Sequence, residues 1–278
     1  MPLFFRLGGP EMAVVYISSR GGACEGAVFS YDLSTESIEQ ITPLREMYGW
    51  GLAVSHISDK IAYETWEWDL VEDTELSIIH LSDLQGNQLD SFVLYGYAIR
   101  QMRFSESSDT LLYITVRPDM VLRLNLNTGG SPDTLLYAGF NFDLFPQDSA
   151  FLMLDTIFSL TSGNRTGANL NGYYPYANSS INPQNPNFVA LAGVIDTTTW
   201  ENHSWQNETE KYIAVVDITT GTGFEIPACP EDKRGRDYRK LHSCDFSPDG
   251  NSIVYLIDSY QDYSSRTEIG LITNVFDD

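Results

Sequence analysis

The chain has 278 residues, of which 42% are hydrophobic and 13% aromatic, long enough for a sizeable core and too apolar for a disordered polymer. Lys and Arg number 16 against 38 Asp and Glu, a formal charge of -22, and a field of that sign repels nucleic-acid phosphate and anionic lipid. The longest apolar-plus-glycine run, Phe188–Ile195, is too short to cross a bilayer as a helix, so neither nucleic-acid binding nor membrane insertion is expected.

Along the chain, the opening Met1-Pro-Leu-Phe-Phe-Arg lacks a basic region followed by an apolar stretch and does not read as a secretory leader. A β-rich run then recurs: Ala13-Val-Val-Tyr-Ile-Ser, Ile61-Ala-Tyr-Glu-Thr-Trp, Leu111-Leu-Tyr-Ile-Thr, the weaker Phe151-Leu-Met-Leu and Val189-Ala-Leu-Ala, and Ile253-Val-Tyr-Leu-Ile. A second run follows most of these: Ala27-Val-Phe-Ser-Tyr-Asp-Leu, Leu76-Ser-Ile-Ile-His-Leu, Val121-Leu-Arg-Leu-Asn-Leu, Tyr212-Ile-Ala-Val-Val-Asp-Ile and Glu268-Ile-Gly-Leu-Ile-Thr. Turn residues come next, as in Ser34-Thr-Glu-Ser and Thr219-Thr-Gly-Thr-Gly.

With Tyr16, Tyr63, Tyr113, Met153, Ala190 and Tyr255 taken as equivalent, the repeat averages about 48 residues, the length of a four-stranded propeller blade. No stretch carries a helical apolar stripe. The expectation is all-β: one domain over residues 1–278, a six-bladed β-propeller of four-stranded antiparallel blades, with a long irregular Asn/Tyr-rich insertion at about 160–187. A β-sandwich also gives many short strands, but it does not require this recurrence. Leu3-Phe-Phe-Arg-Leu suits either the innermost strand of blade one or the outermost strand of blade six. Only five residues follow Thr273, so the expectation is that it joins the sheet near the C-terminus.

In Asp245-Phe-Ser-Pro-Asp-Gly-Asn-Ser-Ile-Val-Tyr, Pro presets φ for a turn and Gly supplies positive φ before a second strand. The segment resembles the F-S-P-D-G hairpin of TolB-like, WD40-like six-bladed propellers. Val54-Ser-His-Ile-Ser-Asp-Lys and Phe104-Ser-Glu-Ser-Ser-Asp-Thr are looser copies, and Ile17-Ser-Ser-Arg-Gly-Gly with Val28-Phe-Ser-Tyr-Asp-Leu is similar to a further stretch of that family. The resemblance implies the fold and favours a periplasmic or extracellular setting. It leaves the activity open, because the family spans carriers, scaffolds and enzymes.

Strands are labelled a to d from the channel outward, which puts a–b turns on one face and b–c loops with d–a connections on the other. The unusual segments fall on the second face. Glu64–Glu75, read as the b–c loop of blade two, holds six acids with Trp66 and Trp68. Blade five's b–c loop adds Trp200 and Trp205. The d–a connection Lys233–Lys240 gathers five basic residues, among them Arg234, Arg236, Arg239 and Lys240, and His242 follows at an inner-strand position. Solvated acidic loops and charge balance within the fold are the plain explanations. The sharper one is a surface for a protein partner or an anionic carbohydrate, with Trp supplying contact and Arg bidentate pairing.

Enzyme signatures are missing: there is no G-x-S-x-G, P-loop, H-E-x-x-H or G-x-G-x-x-G. No catalytic residue, metal ligand set or cofactor is assigned. A non-catalytic binding or scaffolding propeller, a module of a larger assembly, is therefore expected. The alternative is a metal-assisted lyase on uronate-containing sugars, since oligogalacturonate lyases resemble this fold. Only His56, His80, His203 and His242 are available for such a site. Cys229 and Cys244 either form a disulfide or stay as buried thiols, and no C-x-x-C pair is present.

Overall fold

The computed structural model describes residues 3–6, 13–19, 25–43, 45–46, 51–55, 57–70, 73–117, 119–137, 142–196, 212–227, 238–261 and 264–276. The fold is an all-β six-bladed propeller built from six antiparallel sheets in chain order. The first sheet runs β1 (Leu3–Arg6), β2 (Ala13–Ser19), β3 (Glu25–Asp32) and β4 (Ile38–Gln40), with β5 (Arg45–Glu46) also on β3. The second holds β6 (Leu52–Val54), β7 (Lys60–Asp69), β8 (Thr74–Asp83) and β9 (Gln88–Tyr95). The third holds β10 (Ala98–Phe104), β11 (Leu111–Arg117), β12 (Met120–Asn125) and β13 (Asp133–Tyr137). The fourth holds β14 (Phe142–Leu144), β15 (Ala150–Met153), β16 (Thr156–Ser159) and β17 (Arg165–Gly167). The fifth holds β18 (Tyr173–Ile181), β19 (Phe188–Asp196), β20 (Tyr212–Asp217) and β21 (Gly223–Pro227). The sixth, among the described residues, holds β22 (Tyr238–Phe246), β23 (Ile253–Gln261) and β24 (Ser264–Ile272). Two compact units divide the chain, residues 1–148 and 149–278.

Middle strands are covered on both faces, so Ile61–Thr65 and Leu112–Val116 are buried throughout, the polar Glu64, Thr65 and Thr115 included. In the first unit, Ala62, Ile79, Met102, Leu112, Ile114 and Leu122 belong to one core cluster, and Val15, Val28, Leu52, Ile61 and Tyr63 to another. In the second unit, Ala190, Val215, Leu241, Cys244 and Ile253 form a third. The recurring Tyr faces a fixed position on the third strand: Phe29 for Tyr16, His80 for Tyr63, Arg123 for Tyr113 and Gly270 for Tyr255. Tyr16 stacks on Phe29 at 5.7 Å and Tyr63 on His80 at 5.1 Å between ring centroids. Burial pushes the phenols of Tyr16 and Tyr113 up.

The turn motif is a hydrogen-bonding device. Ser55, Ser105, Asn182 and Ser247 each donate the backbone N–H to the start of the next strand, at Lys60, Leu111, Phe188 and Ser252. Their side-chain oxygens accept N–H groups two residues on in the first three, and from Ser252 in the last. Two expectations change here. Residues 160–187, read as an irregular insertion, contain β17, β18 and the turn capped by Asn182. The N-terminal strand β1 pairs with β2 from Leu3↔Tyr16 to Arg6↔Ala13, so it belongs to the first sheet, at the start of the order β1-β2-β3-β4, and is not a strand of the last sheet. Pairing with the next strand in sequence closes a short loop, the less costly choice in chain entropy.

The last residue of the third strand is equally regular. Asp32, Asp83, Asn125 and Asp217 cap the turn into the fourth strand, each Oδ1 accepting N–H groups two to four residues ahead. The Ser34 hydroxyl is the main cause holding the Asp32 carboxyl down to about 2. The Asn87 amide lowers Asp83, and the Thr219 hydroxyl lowers Asp217. Between the ordinary carboxylate value near 4 and these depressed values, the unfolded chain binds more protons than the native one, so stability falls with falling pH. Asn125 fills the same position without a charge. Asp32→Asn/Asp83→Asn/Asp217→Asn should therefore keep the turns and flatten the loss of stability between about pH 4 and pH 2. Urea midpoints across that range are the check.

Candidate functional site: the rim of the second sheet

The segment Glu64–Glu75 is not a loop. Strands β7 and β8 pair over ten residues each, through Trp66↔Ser77, Glu67↔Leu76, Trp68↔Glu75 and Asp69↔Thr74. Aromatic and threonine residues favour the extended backbone and carry the hairpin outward. Strand β9 flanks its base, with Leu94 opposite Ser77 and Tyr95 opposite Leu76. Phe92 and Leu94 turn inward, while Val93 and Tyr95 face solvent. Tyr95 is 62% exposed and Leu70, at the tip, 88%. Around them Glu67 and Asp73 are exposed and Asp69 is half-buried. This rim combines negative charge with uncovered apolar surface, the composition of a contact patch.

Below the rim the strand turns polar and buried. Glu64 is 2% exposed, and Ser77 Oγ lies 2.7 Å from both Glu64 Oε1 and the Tyr97 carbonyl oxygen. Gly51 permits this approach, because a Cβ there would stand 2.8 Å from the Glu64 Cβ. His80 Nε2 meets Thr65 Oγ1 at 2.7 Å while its ring stacks on Tyr63. Both groups serve the sheet's own packing.

Inner strands are tied by side chains acting as substitute backbone. The Gln101 amide donates to the Phe142 carbonyl at 2.8 Å, and its Oε1 accepts the Phe142 N–H at 2.9 Å. Beside it the Arg103 Nε donates to Asp143 Oδ1 at 3.0 Å, a buried ion pair. In the second unit Ser180 Oγ accepts the Phe246 N–H and donates to Asp245 Oδ1.

The residues singled out in the sequence are scattered. Trp66 is half-buried in β7, and Trp68 lies two residues on in the same strand. Arg239, Lys240 and His242 sit on β22, so the basic connection ends earlier than Lys240; Arg239 and Lys240 face Ser259 and Asp258 in register. Trp200, Trp205, Arg234, Arg236, His56, His203, Cys24 and Cys229 lie outside the described residues. The exposed pair Leu70 and Tyr95 was not singled out. In Phe92-Val-Leu-Tyr95, an unbroken apolar run, nothing shows which face looks outward until the register is known. Among the described residues no group of three His, Cys, Asp or Glu side chains is placed to hold a metal, and no helix is long and apolar enough to cross a membrane.

No family model matches the chain, and comparison with curated proteins finds no match. Solved structures are similar in fold. Hydrazine synthase of Kuenenia stuttgartiensis matches at a TM-score of 0.57 and 9% identity, over 92% of this chain and 75% of that one. A chain of the COPII outer coat vertex on membranes matches at 0.59 and 11%, over 98% and 84%. A chain of the COPII coat assembled on membranes matches at 0.59 and 11%, over 98% of this chain and 47% of that one. At these identities the likeness is one of fold.

Proposed function

We propose that this protein is a non-catalytic binding or scaffolding propeller of the TolB-like, WD40-like kind, which docks a basic partner protein on the rim of β7, β8 and β9. The observation that carries the reading is the exposure of Leu70 and Tyr95 among Glu67 and Asp73. Uncovered apolar groups inside an acidic frame suit a partner with aliphatic and cationic side chains. The formal charge of -22 adds long-range attraction for such a partner. The TolB-like kinship is supported by the Ser247-capped Phe246–Gly250 turn. Membrane-coat chains of similar fold are compatible with a role in an assembly. The lyase alternative draws no support from His80, whose ring is engaged with Tyr63 and Thr65.

The combined variant Glu67→Lys/Leu70→Ala/Tyr95→Ala alters exposed groups and should leave the circular dichroism spectrum unchanged. Immobilised parent protein should retain from a native extract a basic protein that the variant does not, with retention falling as salt rises. Identical retained sets would sink the rim reading. Arg234→Ala/Arg236→Ala/Arg239→Ala tests the basic segment in the same way: binding of uronate oligosaccharides by the parent and not by this variant would assign it to anionic carbohydrate.

A further inference from the structure

Among the described residues, five sheets carry a fourth strand and the sixth shows three. It ends on β24, nine residues from Ser264 to Ile272, and no described strand pairs its outer side. The register sets this blade apart from the other five. The residue opposite the first residue of the second strand is Asp32, Asp83, Asn125, Ser159 and Asp217 in the five four-stranded blades, and each has a side-chain oxygen that accepts N–H groups of the following turn. In the sixth the same position is Ile272, opposite Ile253, which has no acceptor. The chain then bends at Asn274, with φ 57, and the Val275 N–H donates to the Asn251 carbonyl at 2.9 Å. Val275 is buried and Phe276 packs on Phe188, Phe224 and Phe246, so this segment runs across the strand ends and leaves the side of β24.

Exposure agrees. Leu271 faces Val254 in register, as Leu124 faces Leu112 and Val216 faces Val189. Leu124 and Val216 are at most 1% exposed beneath their fourth strands, whereas Leu271 is 38% exposed. A long edge that no described strand pairs is a template for another strand.

We propose that the outer edge of β24 takes up an extended strand of a partner protein as the fourth strand of the sixth sheet. The partner strand carries Lys or Arg with apolar residues at alternate positions. The alternation is that of β9, where Phe92 and Leu94 are buried between exposed neighbours. The positive charge follows from the host's -22, which also sets a second copy of this chain at a disadvantage. Main-chain pairing supplies the affinity and the alternating side chains the selectivity. This edge shares no residue with the rim of the second sheet, so either reading stands without the other.

The test uses the purified chain and a displayed library of nine-residue peptides. Enriched peptides should alternate apolar with polar or basic residues, and one bound at saturation should slow hydrogen exchange at alternate amides of 264–272. Arg266→Pro and Thr267→Pro divide the two amide orientations. The one whose N–H points outward should keep the fold and weaken peptide binding by about tenfold or more. Four outcomes overturn the proposal. These are no enriched peptide, a bound peptide that leaves exchange in 264–272 unchanged, slow exchange at every amide of β24 in the monomer, and a concentration-dependent dimer that protects β24. Hydrogen exchange on the parent decides the matter even where a proline variant fails to fold.

Discussion

Replacing Asp143 with Ala should destabilise the protein by about 3–5 kcal/mol, the usual cost of breaking a buried ion pair from one side. The Arg103 guanidinium is donated to Asp143 Oδ1 at 3.0 Å, with the two side chains 9% and 13% exposed, so the lost carboxylate is not replaced by water. Arg103 and Asp143 also lie next to the Gln101 clamp on Phe142, so the same change loosens a strand held by side-chain bonds. Arg123 and Asp133 provide the comparison. Their 2.9 Å contact is as short, but the side chains are 42% and 67% exposed, and Asp133→Ala should cost about 0–1 kcal/mol. The double variant Arg103→Met/Asp143→Leu should lose less than Asp143→Ala alone, because no buried charge is left over. Urea unfolding of the four proteins checks the order. Equal losses for Asp143→Ala and Asp133→Ala would mean that water reaches the inner pair.

The repeat was legible because it is written in the groups that pack and turn. Tyr16, Tyr63, Tyr113, Met153, Ala190 and Tyr255 all lie on second strands of successive sheets, and the Ser of each hairpin copy caps its turn. Blade four was obscure for a physical reason. Its second and third strands have four residues each and join through Leu154 and Asp155, with φ 54 at Leu154, so neither Gly nor Asn marks the turn. Asn182 hid the next turn inside a polar stretch, although its Oδ1 does the work that Ser55 does elsewhere. The density of charge in Glu64–Glu75 resembles that of a loop. In a hairpin that extends beyond the core, acids alternate with aromatics along a strand, and Glu64 is drawn inside by Ser77. Composition carries the sign of the surface, but the register decides which side chains reach it.

Gly86→Ala should be among the most costly methyl additions at the described glycines, at roughly 2–5 kcal/mol from the sum of backbone strain and a clash. Gly86 has φ 82 in the turn capped by Asp83, a region that an L side chain enters only with strain. The added Cβ would also stand 2.1 Å from the Ile41 carbonyl oxygen. That oxygen belongs to backbone, and it is fixed: the Ile41 N–H donates to the Val28 carbonyl at 2.8 Å, and the Val28 N–H to Thr42 Oγ1 at 2.9 Å. Relief therefore requires either the Asp83 turn or the end of the first sheet to move. Gly96 separates the two causes. Its φ is 72, but a Cβ there meets nothing within 4 Å, so Gly96→Ala carries the conformational cost alone, about 1 kcal/mol. Thermal and urea unfolding should place Gly86→Ala well below Gly96→Ala, with hydrogen exchange in Gly86→Ala accelerated at Val28 and Ile41. If the two variants lose the same stability, the Ile41 carbonyl yields to the methyl group, and the contact between the first and second sheets is softer than its hydrogen bonds imply.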